Sequence, residues 1–177
     1  MARGALLIVL LAASCGSVAV VDRDARGGAI LVRSGQPTRE TLERLYSQYG
    51  IRTVLNLRGE HPGKGWWEEE RRGVASIWAR WVQWPVGGRE RPPPELVEAF
   101  LDLVEDPAAR PVLLHCESGI HRTGIFVAVY RMQHQGWSAE RALAELRRQG
   151  FRLGGADRSE VEAYLREFRP DPSRRLR

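Results

Sequence analysis

Four short apolar runs constrain the fold of this chain more than any other feature. They are Ile30-Leu31-Val32, Thr53-Val54-Leu55-Asn56-Leu57, a tryptophan-bearing stretch through Trp81 that ends at Trp84-Pro85-Val86, and Pro111-Val112-Leu113-Leu114-His115. Each is too short for a helix, and a near-continuous apolar run of this length suits a strand covered on both faces. Amphipathic segments alternate with them. Thr38 is placed to cap a helix carrying Leu42, Leu45 and Tyr46, with Gly50 as its stop. A short helix is expected from Trp66 to Arg72, and another over 94–105 with Pro94 in its first turn. Thr123 to about Gln135, Ser138 to Gln149, and a stretch from Asp157 or Ser159 to Phe168 complete the series. Strands that alternate with helices predict an α/β domain whose central, mainly parallel sheet of four to five strands is flanked by helices. In such sheets ligands bind at the carboxyl ends of the strands.

The 177 residues suffice for one domain, expected over 29–169, preceded by a tether at 16–28 and followed by a frayed basic tail at 170–177. The net charge is +5, yet 26 of the 27 basic residues are arginine, scattered among glutamates. A nucleic-acid surface would gather them into a stripe, so a nucleic-acid partner is not expected. Residues 1–15 carry one arginine, an apolar run from Ala5 to Ala13 and then small residues, the order of an export signal. Leu11-Ala12-Ala13-Ser14-Cys15 resembles a bacterial lipobox, which makes Cys15 a lipidation candidate and the membrane a partner through that lipid; cleavage without lipid and a buried N-terminal element are the competing readings. An exported protein, in the cell envelope or periplasm, is the expectation. Cys116 would then be the thiol left in the folded domain.

The chemistry concentrates in His115-Cys116-Glu117-Ser118-Gly119-Ile120-His121-Arg122-Thr123-Gly124, between a buried strand and a helix. A loop in that position aims its backbone N–H groups at a common point and adds the positive end of the helix dipole, which together receive a tetrahedral anion. Glu117, Ser118, Gly119, Ile120, His121 and Arg122 are the candidate phosphate-binding residues, with Gly119 letting the backbone curl. A cysteine at the base of the loop has its thiolate stabilised by the same donors. Arg122 can hold two phosphate oxygens with its planar fork. A buried core cysteine is the bland alternative for Cys116, and the arginine spacing, the glycine and the Thr-Gly that follows count against it. His121 is read either as a pocket residue or as a solvated one. Glu60, His61 and His134 are read as surface or packing residues.

Cys116, five intervening residues, Arg122 and Thr123 resemble the signature of the cysteine-dependent tyrosine and dual-specificity phosphatases. Arg33-Ser34-Gly35-Gln36-Pro37, Asn56-Leu57-Arg58 and Pro85-Val86 extend the likeness to the compact bacterial and fungal members, over about residues 30–168. The resemblance implies that Cys116 attacks phosphorus to form a phosphocysteine, that Arg122 and the loop amides bind the phosphate, and that the Thr123 hydroxyl helps the thiolate depart. It also implies that His115 organises the loop, and that neither metal nor other cofactor is used.

That family places an acid, usually aspartate, after the strand that ends here at Trp84-Pro85. In this chain Gly87-Gly88-Arg89-Glu90-Arg91-Pro92-Pro93 offers only Glu90, between two arginines; Asp157 is the fallback, and an enzyme without an acid is the third option. A rhodanese-like sulfurtransferase and a non-catalytic phosphate-binding module remain as rivals. The substrate is expected to be a phosphomonoester, on protein in preference to phosphoinositides or inositol phosphates, because the loop carries Glu117 and no lysine.

Overall fold

The computed structural model describes residues 18–87, 90–152 and 155–176, leaving aside the side chains of 156–159. Cys15 and the export segment lie outside the described residues. Five strands form one sheet: β1 (Ala19–Arg23), β2 (Ala29–Ser34), β3 (Thr53–Asn56), β4 (Arg80–Gln83) and β5 (Val112–His115). Six helices accompany them: α1 (Arg39–Tyr49), α2 (Gly65–Ser76), α3 (Pro94–Glu105), α4 (His121–Gln135), α5 (Ala139–Arg148) and α6 (Gly155–Glu167). The strand order is β1-β2-β5-β3-β4, with β1 antiparallel to β2 and every other neighbour parallel. The α/β sheet expected from the apolar runs is therefore present.

Period-two alternation distributes each strand between two cores. Leu31, Leu55, Val112 and Leu114 face the layer of α3, α4, α5 and α6, whereas Val32, Val54 and Leu113 face the layer of α1 and α2. All seven are fully buried. β5 lies in the middle, with Ser34 of β2 and Asn56 of β3 both in register with His115. The loop leaving β5 is consequently flanked by the loops leaving β2 and β3.

Four expectations are corrected. The tether of 16–28 contains β1, because Val20 pairs with Val32, Val21 is buried and the Tyr130 hydroxyl donates to Asp22 Oδ2 at 2.7 Å. The tail is not frayed over its described part: Arg174 reaches Glu98 at 2.6 Å, Asp102 at 2.9 Å and Glu105 at 3.0 Å, a carboxylate row one helical face of α3 presents. Trp78, which its spacing from Trp81 and Trp84 groups with the sheet-face tryptophans, is instead 92% exposed at φ 54°, in the turn between α2 and β4. The helix after the loop also begins at His121, two residues before Thr123, so Arg122 sits in its first turn.

Candidate active site

The loop from Cys116 to Ile120 is shaped by contacts with the ends of β2 and β3. The Leu57 amide donates to the His115 carbonyl at 2.9 Å and the Gln36 amide to the Glu117 carbonyl at 2.9 Å. Buried Arg33 donates from Nη2 to the Gly119 carbonyl at 2.5 Å, and burial pushes that guanidinium below its ordinary pKa against the opposing pull of Glu145. Gly119 has φ 71°, and a β-carbon there would lie 2.5 Å from the Ser34 carbonyl oxygen, so the close approach of two backbones requires glycine. Ser118 Oγ accepts from the Ile120 amide at 3.3 Å. Ile120 itself packs on the core.

Among the described residues, the amides of Glu117, Ser118 and Gly119 donate to no protein acceptor. Cys116 is a free thiol, 1% exposed, at the base of this array. Thr123 is fully buried and its Oγ1 has no partner. Arg122 Nη1 donates to the Leu57 carbonyl at 3.2 Å, which brings its guanidinium back towards the end of β3. Unpartnered donors around a buried thiol leave hydrogen-bonding capacity that an oxyanion would fill. His121 resolves differently from either reading made of it: its ring packs on Phe151 with centroids 5.4 Å apart and its Nε2 is buried without a partner, while its backbone stays in the first turn of α4.

Two residues complete the surroundings: Arg58, quoted from the sequence only for its likeness to the family, and Glu70, which the sequence did not mark. Arg58 lies at the loop mouth, its guanidinium 3.5 Å from the Trp66 ring centroid, 2.8 Å from Gln36 Oε1 and 3.8 Å from Glu117 Oε1. Burial lowers its pKa, Glu117 opposes that, and nearby Arg122 adds to it. Trp66 thus edges the site, whereas Trp67 turns away to donate to Gln83 at 2.6 Å. Glu70, on α2, is fully buried against the strand ends and accepts from His115 Nε2 at 2.9 Å. Burial pushes its carboxyl up, but the hydrogen bond and charge of His115, then Gln36 and Trp81, outweigh that and hold it below the ordinary value. No spacing rule flags one glutamate within Glu68-Glu69-Glu70; its selection depends on which face of α2 meets the sheet.

The acid candidates are less tightly placed. Glu90 is exposed, with its carboxylate folded back over Gly87, where a β-carbon would lie 2.9 Å from Oε2. Asp157 falls on α6, and its side chain lies outside the described residues. His134 is a packing residue, its ring 5.1 Å from that of Tyr130. Among the described residues no group of three or more His, Cys, Asp or Glu side chains is placed to hold a metal ion.

A mainly parallel sheet with a free thiol, a glycine-curled loop and a returning arginine at the end of its central strand defines the dual-specificity class of cysteine phosphatases, and this chain belongs to that family. The family model described as DSP-PTPase phosphatase fused to NAD+ kinase matches residues 17–164. The dual specificity protein phosphatase TpbA of Pseudomonas aeruginosa is 29% identical over 136 residues, 77% of this chain and 58% of that protein. The inositol diphosphatase SIW14 of Saccharomyces cerevisiae is 29% identical over 140 residues, 76% of this chain and 48% of that protein. The chain thus spans about half the length of these two relatives. The SIW14 core catalytic domain, solved with citrate, superposes with a TM-score of 0.64 at 28% identity, covering 77% of this chain and 82% of that one. TpbA superposes at 0.60 with 29% identity, covering 78% and 80%, and a TpbA complex with phosphotyrosine at 0.59.

Proposed function

We propose that the protein hydrolyses phosphomonoesters in two steps through a phosphocysteine. The observation that carries this reading is the set of unpartnered amides at Glu117, Ser118 and Gly119 around the buried Cys116 thiol. The amides and the Arg122 fork hold the three non-bridging oxygens and stabilise the charge that spreads over them as the phosphoryl group moves. The thiolate attacks phosphorus and the ester oxygen departs with a proton. Water then displaces the thiolate from phosphorus, and the Thr123 hydroxyl, buried and unpartnered, can donate to the departing sulfur.

A phosphorylated protein is the favoured substrate. TpbA, solved with phosphotyrosine, supports that choice, while SIW14, an inositol diphosphatase, supports the other. Glu117 supports the protein substrate: its carboxylate, 70% exposed and next in sequence to the nucleophile, repels each additional phosphate of a densely charged ligand, and the Arg58 contact at 3.8 Å offsets only part of that. Export, with lipid on Cys15, is proposed on the order of residues 1–15 alone.

The experiment compares wild type and Cys116→Ser on a phosphotyrosine peptide and on an inositol polyphosphate. Serine keeps the volume but its hydroxyl stays protonated near neutral pH, so turnover should fall at least about a thousandfold. Substantial residual turnover would contradict the phosphocysteine. A higher kcat/KM on the inositol polyphosphate would reverse the choice of substrate.

A further inference from the structure

Glu70 is fully buried, yet the two-step reaction makes no use of it. Its carboxylate collects donors from β3, β4, β5 and the loop that follows β2. Oε1 accepts from His115 Nε2 at 2.9 Å and Trp81 Nε1 at 2.7 Å; Oε2 accepts from Gln36 Nε2 at 2.7 Å and Asn56 Nδ2 at 3.2 Å. An ionised carboxylate only accepts, so it dictates how each ambivalent partner is turned. Gln36 must present its amide nitrogen, which leaves Oε1 for Arg58 Nη1 at 2.8 Å. Asn56 must do the same, which leaves Oδ1 for the Arg58 backbone amide at 2.7 Å. His115 must donate from Nε2, and its Nδ1 then faces the Cys116 carbonyl at 3.4 Å. That carbonyl is an acceptor as well. A ring between two acceptors serves both only when it carries both protons.

Resting on the phosphatase reading, we propose that Glu70 is a positioning residue of this site: it holds His115 doubly protonated behind Cys116 and turns Gln36 and Asn56 so that Arg58 is aimed across the loop mouth. The titratable groups facing the carboxylate are His115 from β5 and Arg58 just beyond β3; Gln36, Asn56 and Trp81 are neutral. The ring stands between the Glu70 carboxylate and the Cys116 carbonyl, so Glu70 reaches the backbone of the nucleophile through His115. Removing the carboxylate charge takes the second proton from His115 and leaves the thiolate with less support.

The test uses the full chain with Cys15→Ser, which makes Cys116 the only thiol, and follows thiolate ultraviolet absorbance against pH. Glu70→Gln, nearly isosteric, should raise the midpoint by about one unit. His115→Asn should raise it equally, and the double variant no further, since both act through one ring. A fold-only defect lowers the melting temperature without this shared, non-additive shift. An unshifted midpoint in folded Glu70→Gln, or shifts that add, would overturn the proposal. If Glu70→Gln fails to fold, His115→Asn decides, and an unshifted midpoint there overturns it as well. Aryl phosphate turnover, measured in parallel, separates the two claims. An active wild type with unshifted variants defeats only the role of Glu70. A wild-type midpoint near that of free cysteine, about 8.5, with no turnover defeats both.

Discussion

In the proposed reaction three kinds of group at the Cys116 loop divide the labour that one side chain cannot do alone. The thiol supplies the nucleophile, the Arg122 fork supplies bidentate charge, and the loop amides supply donors that cost no rearrangement during reaction. The open role is proton donation to the leaving oxygen. An aryl phosphate departs as a stable phenolate, whereas an alkyl phosphate departs as a basic alkoxide and needs the proton far more. If Glu90 swings in from over Gly87, Glu90→Gln should reduce kcat/KM on an alkyl phosphomonoester at least about tenfold more than on para-nitrophenyl phosphate. Equal losses on the two esters would remove Glu90 from the reaction. Cys116, Arg122 and Thr123 were all legible as residues because their spacing is rigid: one loop has to wrap one anion. Glu70 and Arg58 were not, since they approach from other strands and helices and no local spacing ties them to Cys116.

Among the elements, the turn between α2 and β4 departs furthest from its sequence pattern. Trp78 alternates with Trp81 and Trp84 and invites reading as a strand residue, but Trp81 is drawn to Glu70 and Trp84 to the core on the α3 side, while Trp78 takes a left-handed conformation in the solvent. That conformation costs a β-carbon-bearing residue roughly 1–2 kcal/mol. Trp78→Gly relieves it and loses little packing at 92% exposure, so the unfolding midpoint should rise by the equivalent of about 0.5–1 kcal/mol. Chemical denaturation measures this directly, and a lower midpoint would show that the indole packs on something. β1 was missed for another reason: the apolar run Val18-Ala19-Val20-Val21 is short and gives way at once to Asp22 and the polar turn that follows, and its pairing with β2 is what makes it a strand.

For the whole molecule, the docked tail changes how the protein responds to acid. Arg174 engages Glu105 Oε2 at 3.0 Å, and although His134 Nε2 lies 3.4 Å from Glu105 Oε1, neither atom finds a hydrogen bond. Burial, and then the charge of Arg174, lower the His134 pKa to about 4. The unfolded chain takes up that proton near pH 6.5 and the folded one only near 4, so stability falls as pH drops through this window. Urea unfolding should lose on the order of 2 kcal/mol between pH 6.5 and 4, and His134→Gln should flatten that part of the profile. An unchanged slope in the variant would assign the acid loss to other groups.

The sequence by itself determined four of the five strands, the helices and the phosphate loop, because each is written in short-range periodicity or in the fixed spacing of one continuous turn. Buried strands show as runs such as Val112-Leu113-Leu114, and an anion loop shows as Cys116 to Arg122. Only the tertiary structure decided which polar residues would be enclosed. Glu70 is one of three consecutive glutamates until α2 docks on the sheet and turns it towards His115, Gln36, Asn56 and Trp81. Arg174 is one of several tail arginines until α3 presents Glu98, Asp102 and Glu105 to it. A charge enters the interior only where donors from distant segments converge to replace water, and that convergence is a property of the packed molecule.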